Sequence, residues 1–196
     1  MTKLLIILTA LSSFLTTLET KTLSSEFTLT IAADATQPLN QTGAITLNGD
    51  RFRLSFLDIE AAYDGKTLYM YQADTDELTL SHPTEQELLE TNPFLYAKAL
   101  SAVCNITERQ TSNDQTLITL TPKDQSVGIQ RFILTLDKNQ LPVRIEIKEG
   151  KKTTTLTLRN AKYLTTNDQR PTTNDQRPTT NYTLAPSAKT FVNDLR

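Results

Sequence analysis

"GAITLNGDRFRLSF", Gly43 to Phe56, is the stretch whose reading decides the fold. Ile45 and Leu47 alternate with polar or small neighbours. After the turn "NGD", Phe52, Leu54 and Phe56 alternate with Arg51, Arg53 and Ser55. A period of two marks strands that are wet on one face and buried on the other. Asn48-Gly49 between them supplies residues that tolerate the positive φ of a type I′ turn, so the stretch predicts a β-hairpin.

The same pattern extends outward. Upstream, "FTLTI" places Phe27, Leu29 and Ile31 on one face with threonines between them. Downstream, Asp64-Gly65-Lys66 sets a second hairpin, followed by "TLYMYQ" and "ELTLSH". Later come "NITERQ", "TLITLTP", "QRFILTL", "LPVRIEIK" and "TTTLTLRNAKY", joined by the polar turns "SNDQ", "DKNQ" and "EGKK". The expectation is a mainly β chain of roughly ten or eleven strands, all antiparallel, with one helical insertion.

That insertion is "PTEQELLETNPFLYAKALSAV". Thr84 followed three residues later by Glu87 is a capping box, Leu88 and Leu89 form an apolar side, and Asn92-Pro93 ends the helix. Pro93 then opens a second short helix, because a proline in the first helical position gives up no needed hydrogen bond. A continuous antiparallel sheet of this many strands must curl, and its apolar inner face must be covered or filled. The insertion and a short helix before Glu26 are too little to fill it. The pattern therefore implies an incomplete barrel around a cavity lined by Phe, Leu and Ile, suited to an apolar ligand.

The 196 residues fit one domain, and a net charge of -2 gives no basic footprint for nucleic acid or an anionic membrane. The opening "MTKLLIILTALSSFL" has the layout of a secretory leader: Lys3, an apolar run from Leu4 to Leu8, then small and hydroxyl residues. It predicts a leader over 1–12, a single domain over 13–196 and a periplasmic location, although no A-x-A sequence fixes the cut. Near the C-terminus "TTNDQRPTTNDQRPTTN" repeats a seven-residue unit over 165–181. It has no apolar residue that could stack, and reads as a tandem duplication in a solvated loop.

Residues for catalysis are sparse. His82 is the only histidine and Cys104 the only cysteine, so a zinc site or a Ser-His-Asp triad has no convergent set, and no intramolecular disulfide can form. Cys104 reads as a small buried apolar residue, and His82 as a polar residue at a strand end. The acidic "DTDE" at Asp74 to Glu77 lacks the glycine of a calcium loop and reads as a hairpin tip. The N-x-T sequons at Asn40, Asn105 and Asn181 are expected by chance in a Thr-rich chain. No catalytic residue, metal or cofactor is assigned.

Four stretches in order resemble the periplasmic lipoprotein carriers of the LolA type, in a variant that looks most like those of Bacteroidetes-type bacteria. "GAITLNGDRFRLSF" is similar to the family's second hairpin, and "DGKTLYMYQADTDELTLSHP" to its "DG-x-x-L-W-x-Y" hairpin with Tyr69 in place of the tryptophan. "ITLTPK" and "IQRFILTLDKNQLPVRIEI" resemble its "L-T-P-K" strand and long hairpin, and "DLR" its usual ending. The resemblance implies a half-barrel closed by lid helices, and a monomeric carrier, not an enzyme. It takes lipoprotein acyl chains from an inner-membrane ABC transporter and passes them to the outer membrane, where a receptor would accept them. Phe27, Leu29, Ile31, Phe52, Leu54, Phe56 and Tyr69 are then the expected lipid-binding wall, with Leu88, Leu89, Phe94 and Leu95 as the lid. Where the enterobacterial pattern has a lid-latching arginine, this chain has Asn48 and Gly49, with Arg51 and Arg53 beyond. Two other readings stand beside the carrier: a lipid- or lipoprotein-sensing regulatory module of the same half-barrel type, and an exported hydrolase using His82.

Overall fold

The hairpin at Gly43 to Phe56 forms, with Leu47 opposite Phe52 and Ile45 opposite Leu54. Of its turn residues only Gly49 takes a positive φ, 58°. A single positive φ at the first central position is the type II′ arrangement, so the expected I′ turn is corrected. The Asp64 turn is a four-residue loop, not a tight one: the Asp64 carboxylate accepts from the backbone N–H of Lys66 and of Thr67.

The computed structural model describes residues 9–33, 38–124, 128–164 and 181–196. The elements in order are α1 (Thr9–Thr20), β1 (Leu23–Ala32), β2 (Leu39–Asn48), β3 (Arg51–Phe56), β4 (Ile59–Tyr63), β5 (Leu68–Gln72) and β6 (Glu77–Ser81). There follow α2 (Glu85–Thr91), α3 (Pro93–Leu100), β7 (Cys104–Gln110), β8 (Thr116–Pro122), β9 (Arg131–Leu136), β10 (Pro142–Glu149), β11 (Lys152–Tyr163) and β12 (Phe191–Asp194). The strands make one sheet in the order β12-β6-β5-β4-β3-β2-β1-β11-β10-β9-β8-β7. Its end strands β12 and β7 do not pair, so the curled sheet is an unclosed barrel, as expected. The repeat at 165–181 lies outside the described residues except for Asn181.

Strand parity carries straight across the sheet. Ile31, Thr154, Ile147, Phe132, Leu120 and Ile106 stand side by side on six neighbouring strands. They form one rung of the inner face. Ile118, Leu120, Phe132 and Leu134, on β8 and β9, are fully buried. The amphipathic α1 lies against this half, burying Leu11, Phe14 and Leu18, and α3 adds Phe94, Ala97 and Leu100 to the same core. The Phe14 and Phe94 rings stand 6.3 Å apart.

Both ends of α1 are tied to the sheet. Glu108 faces inward on the edge strand β7, and its carboxylate accepts from the first N–H groups of the helix, Leu11 at 3.1 Å and Ala10 at 3.4 Å. That is a capping interaction supplied from another strand, favoured further by the helix dipole. At the other end the Leu18 carbonyl accepts from Gly49 N–H at 2.7 Å. The leader boundary expected after residue 12 falls inside this helix.

Two strands differ from expectation. β4, "IEAAY", shows no alternation because both its faces are covered: Ala61 packs inward and Ala62 outward, and both are buried. The covering on the outside is the C-terminal segment. Tyr182 lies under Arg51, 5.3 Å from guanidinium to ring, and the Thr190 hydroxyl donates to Asp76 at 2.8 Å. Between those points the chain crosses the outer face over Ala62, Leu78 and Leu80. It arrives beside Asp76, where β6 also begins, so β12 must run parallel to β6. This corrects the all-antiparallel expectation.

Gly43 marks the tightest place in the sheet. A Cβ there would stand 2.4 Å from Phe27 Cζ and 2.5 Å from the Ser55 carbonyl oxygen, because the Phe27 ring lies over the glycine and stacks on Phe56 at 5.9 Å. Gly43→Ala is expected to cost about 2 kcal/mol by overpacking, measured by urea denaturation. For α1, a chain starting at Ser13 loses Leu11 and both donors to Glu108. It is expected to be about 2–4 kcal/mol less stable than a chain starting at Thr9; equal urea midpoints would show that the first helical turn carries no stability.

Candidate functional site

Helices α1 and α3 seal the β7–β9 half of the inner face and leave the other half uncovered by helix core. Along β1 the burial falls off accordingly: Leu23 and Phe27 are buried, Leu29 and Ile31 only partly. Under α2 this uncovered half becomes a cavity of about 550 Å³. Its deep wall is Phe27, Ile45, Leu54, Phe56, Ile145 and Leu156, contributed by β1, β2, β3, β10 and β11. Leu29, Ile31 and Ile147 continue the wall toward the β10–β11 turn. At that end the lining turns polar, with Gln86, Glu90, Tyr96, Glu149, Lys152 and Thr154.

The roof is built by a local sequence code. Thr84 Oγ1 accepts from Glu87 N–H at 3.3 Å, while the Glu87 carboxylate accepts from Thr84 N–H at 2.7 Å, the reciprocal capping box. Asn92 serves both helices: its N–H donates to the Leu88 carbonyl at 2.9 Å, and its Oδ1 accepts from Phe94 N–H at 3.0 Å. Pro93 occupies the first turn of α3. Yet α2 buries none of its own side chains completely. Its hold on the body is the half-buried pair Leu88 and Leu89, so it belongs to the low-stability end of the structure, where local opening is cheap.

The more secure lid helix is α3, fixed by its buried residues and by Lys98. The Lys98 ammonium stands 3.0 Å from Asp50 in the β2–β3 turn and 3.7 Å from Glu19 at the end of α1. The hydrogen bond to Asp50 raises the lysine's pKa above its ordinary value, with burial opposing and the Asp50 and Glu19 charges adding to it. The arginines that sequence alignment with the latch suggested are occupied elsewhere. Arg53 pairs with Glu60 at 2.8 Å, and Arg51 donates to Asn48 at 3.0 Å. The β2–β3 turn is thus joined to the lid by a lysine on the lid and an aspartate on the turn.

A family model described as "Outer membrane lipoprotein carrier protein LolA" matches residues 19–170. The chain belongs to the LolA family. Among solved structures it is similar to an uncharacterized conserved protein of Thermus thermophilus, at 12% identity and TM-score 0.57, covering 94% of this chain and 96% of that one. A LolA superfamily protein of Nitrosomonas europaea matches at 10% identity and TM-score 0.42, covering 79% of this chain and 93% of that one. At such identities the likeness is one of fold. No curated protein matches.

Within this LolA-family chain the eleven expected site residues separate. Phe27, Leu29, Ile31, Leu54, Phe56 and Leu89 line the main cavity. Phe52 has the right parity but lies deeper, fully buried against Tyr63 with ring centroids 6.0 Å apart. It is core, not wall. Phe94 is likewise core, against Phe14. Leu88 and Leu95 face a separate recess of about 280 Å³ with Asp50, Tyr63 and Lys98. Tyr69 is on the outer face, in register with Ala62 and Leu80, and its hydroxyl donates to Asp64 at 3.1 Å. Its expected place in the wall is corrected by strand parity, since its inward neighbours are Leu68 and Met70.

Sequence reading missed Ile45, Ile145, Ile147 and Leu156 as wall, although their alternation was visible, because nothing in one sequence tells which rungs lie beyond the reach of the helices. Cys104 is buried, and burial raises its thiol pKa despite the nearby Lys123. His82 lies outside the cavity lining.

Thr84 N–H and hydroxyl hold the Glu87 carboxyl below its ordinary value near 4.5, against a small opposing effect of burial. A depressed folded pKa stabilises the cap at pH above that ordinary value, and the contribution disappears as pH falls through the lowered one. The Thr84 amide proton shift is therefore expected to titrate with a midpoint below 4.5, and to lose this step in Glu87→Gln.

Proposed function

We propose that this protein is a periplasmic carrier that holds the acyl chains of lipoproteins in the cavity under α2 and moves them from the inner to the outer membrane. The observation that carries the reading is the cavity itself: an apolar, elongated volume closed by the one helix with no buried side chain. The wall has no group that could bond covalently to a ligand, so binding rests on transfer of methylenes from water, about 0.8 kcal/mol each. A chain of ordinary length yields on the order of 12 kcal/mol gross by that figure, ample for reversible holding after the costs of association. Release then needs only that α2 move, which its sparse packing permits.

In this reading the source is an inner-membrane lipoprotein-releasing ABC transporter and the destination an outer-membrane acceptor, with the protein acting as a monomer. Phe27, Leu29, Ile31, Leu54 and Phe56 act as wall and Leu89 as roof. The protein is an exported carrier without catalytic residues; the family membership and the apolar lining support that over a hydrolase built on His82.

The test is extraction of the protein purified from a producing cell, with mass spectrometry of what it carries, alongside uptake of an acylated peptide. Leu54→Trp, which places a larger side chain in the cavity at a partly exposed position, is expected to weaken uptake at least tenfold with the urea midpoint nearly unchanged. Undiminished uptake in that variant, or no uptake by the native chain, overturns the reading.

A further inference from the structure

We infer that the cavity takes one acyl chain at a time, presented on a neutral or cationic head, and discriminates against anionic amphiphiles. The inference rests on the acyl-chain reading above and narrows it to a ligand class.

The volume sets the number of chains. A methylene fills about the ~30 Å³ that a water molecule takes in the liquid. A cavity of about 550 Å³ therefore holds roughly 18 such groups, one chain of common length. The recess beyond Leu88 and Leu89, about 280 Å³, is half that size and lined by Asp50 and Lys98 as well as leucines. A second full chain fits in neither.

The mouth sets the head. The deep wall is wholly apolar, so an amphiphile enters tail first and leaves its polar group among the side chains near the β10–β11 turn. Two carboxylates stand there, Glu90 from α2 and Glu149 from β10, against one cation, Lys152. Lys152 is already paired with Glu149 at 3.0 Å. Glu90 accepts from the neutral amide of Gln86 at 2.9 Å and has no cation bonded to it among the described residues.

Tyr96 joins the two levels: its ring lines the cavity and its hydroxyl feels the same charges. Burial raises its pKa first, then Glu149 and Glu90, with Lys152 opposing. The net field at the mouth is negative. Partial burial raises the effective strength of such a field, so a second negative charge is disfavoured there and a positive one favoured. An ester or amide linkage, the first polar group of an acylated peptide, has no charge to be repelled, and its N–H can donate to either carboxylate. Free carboxylates and phosphate heads carry the wrong sign.

The experiment uses the full chain and three 16-carbon amphiphiles below their micellar concentrations: hexadecanoate, monohexadecanoylglycerol and hexadecylamine at neutral pH. Each competes against a fluorescent 16-carbon probe at low salt, and native mass spectrometry counts bound molecules. The expected result is one molecule per protein, with the neutral and cationic probes at least tenfold tighter than hexadecanoate. In Glu90→Gln with Glu149→Gln the gap should shrink to within about threefold. Equal affinity for all three, or an unchanged gap in the double variant, overturns the head preference and leaves the acyl-chain reading intact. Two or more chains bound overturns the single-chain limit. Failure of every probe to bind overturns the acyl-chain reading itself.

Discussion

The constraint on which everything else depends is the mismatch between a long apolar sheet face and the helix available to cover it. Twelve strands in one unclosed sheet present an inner face that runs from β12 to β7. Antiparallel alternation makes that face apolar along nearly its whole width, because each strand must bury the side that is not wet. Two helices, α1 and α3, bury residues into it, and both gather over β8 and β9. The remainder, from β3 through β11 to β10, is left with an apolar surface and only α2 above it. A cavity is the consequence of that arithmetic of area; it needs no special cavity-forming sequence.

Covering only half of the face requires that the covering helices be held in place, and their attachments are polar. A sheet edge such as β7 ordinarily invites pairing with another strand, and an inward-pointing charge is one way to discourage it. Glu108 is such a charge, and here it also accepts the N–H groups at the start of α1. One residue thus disfavours edge pairing and fixes a helix across the concave face. At the opposite end of the sheet the edge is managed by adding a strand: the C-terminal segment covers the outside of β4 to β6 and then lies down as β12. Both solutions keep the barrel from closing, and an open barrel is what leaves a mouth.

Much of this was legible in the sequence, for reasons that can be named. Alternation found the strands wherever one face is dry and the other wet, as in Arg51 to Phe56. It failed at Ile59 to Tyr63, where the C-terminal strap makes both faces dry and two adjacent alanines replace the alternation. The capping box at Thr84 and Glu87 and the proline at position 93 gave the lid helices correctly, because caps are local and their partners are three residues apart. The site was only half legible. Parity placed Leu54 and Phe52 on one face, but depth along a strand depends on where α1 and α3 come to rest, and that is set by Glu108 and Lys98 at long range. Tyr69 was misplaced because it was assigned by analogy with an aromatic position, when the alternation of Leu68, Tyr69 and Met70 already put it outside.

The same contrast explains why two lid helices, adjacent in sequence and sharing Asn92, have different roles. α3 is anchored three ways: by Phe94, Ala97 and Leu100 in the core, by Phe14 against Phe94, and by Lys98 reaching Asp50 and Glu19. The surface ion pairs add little energy by themselves, typically about 0–1 kcal/mol. They fix the angle of a helix whose burial already secures it. α2 has the better cap and the poorer packing, so it can lift as an intact helix, keeping its hydrogen bonds while giving up only the half-buried contacts of Leu88 and Leu89. A roof that moves without unfolding costs little to open and closes by the same contacts. With Asn92 serving as the C-cap of one helix and the N-cap of the other, the boundary between the fixed and the movable part of the lid falls at a single residue.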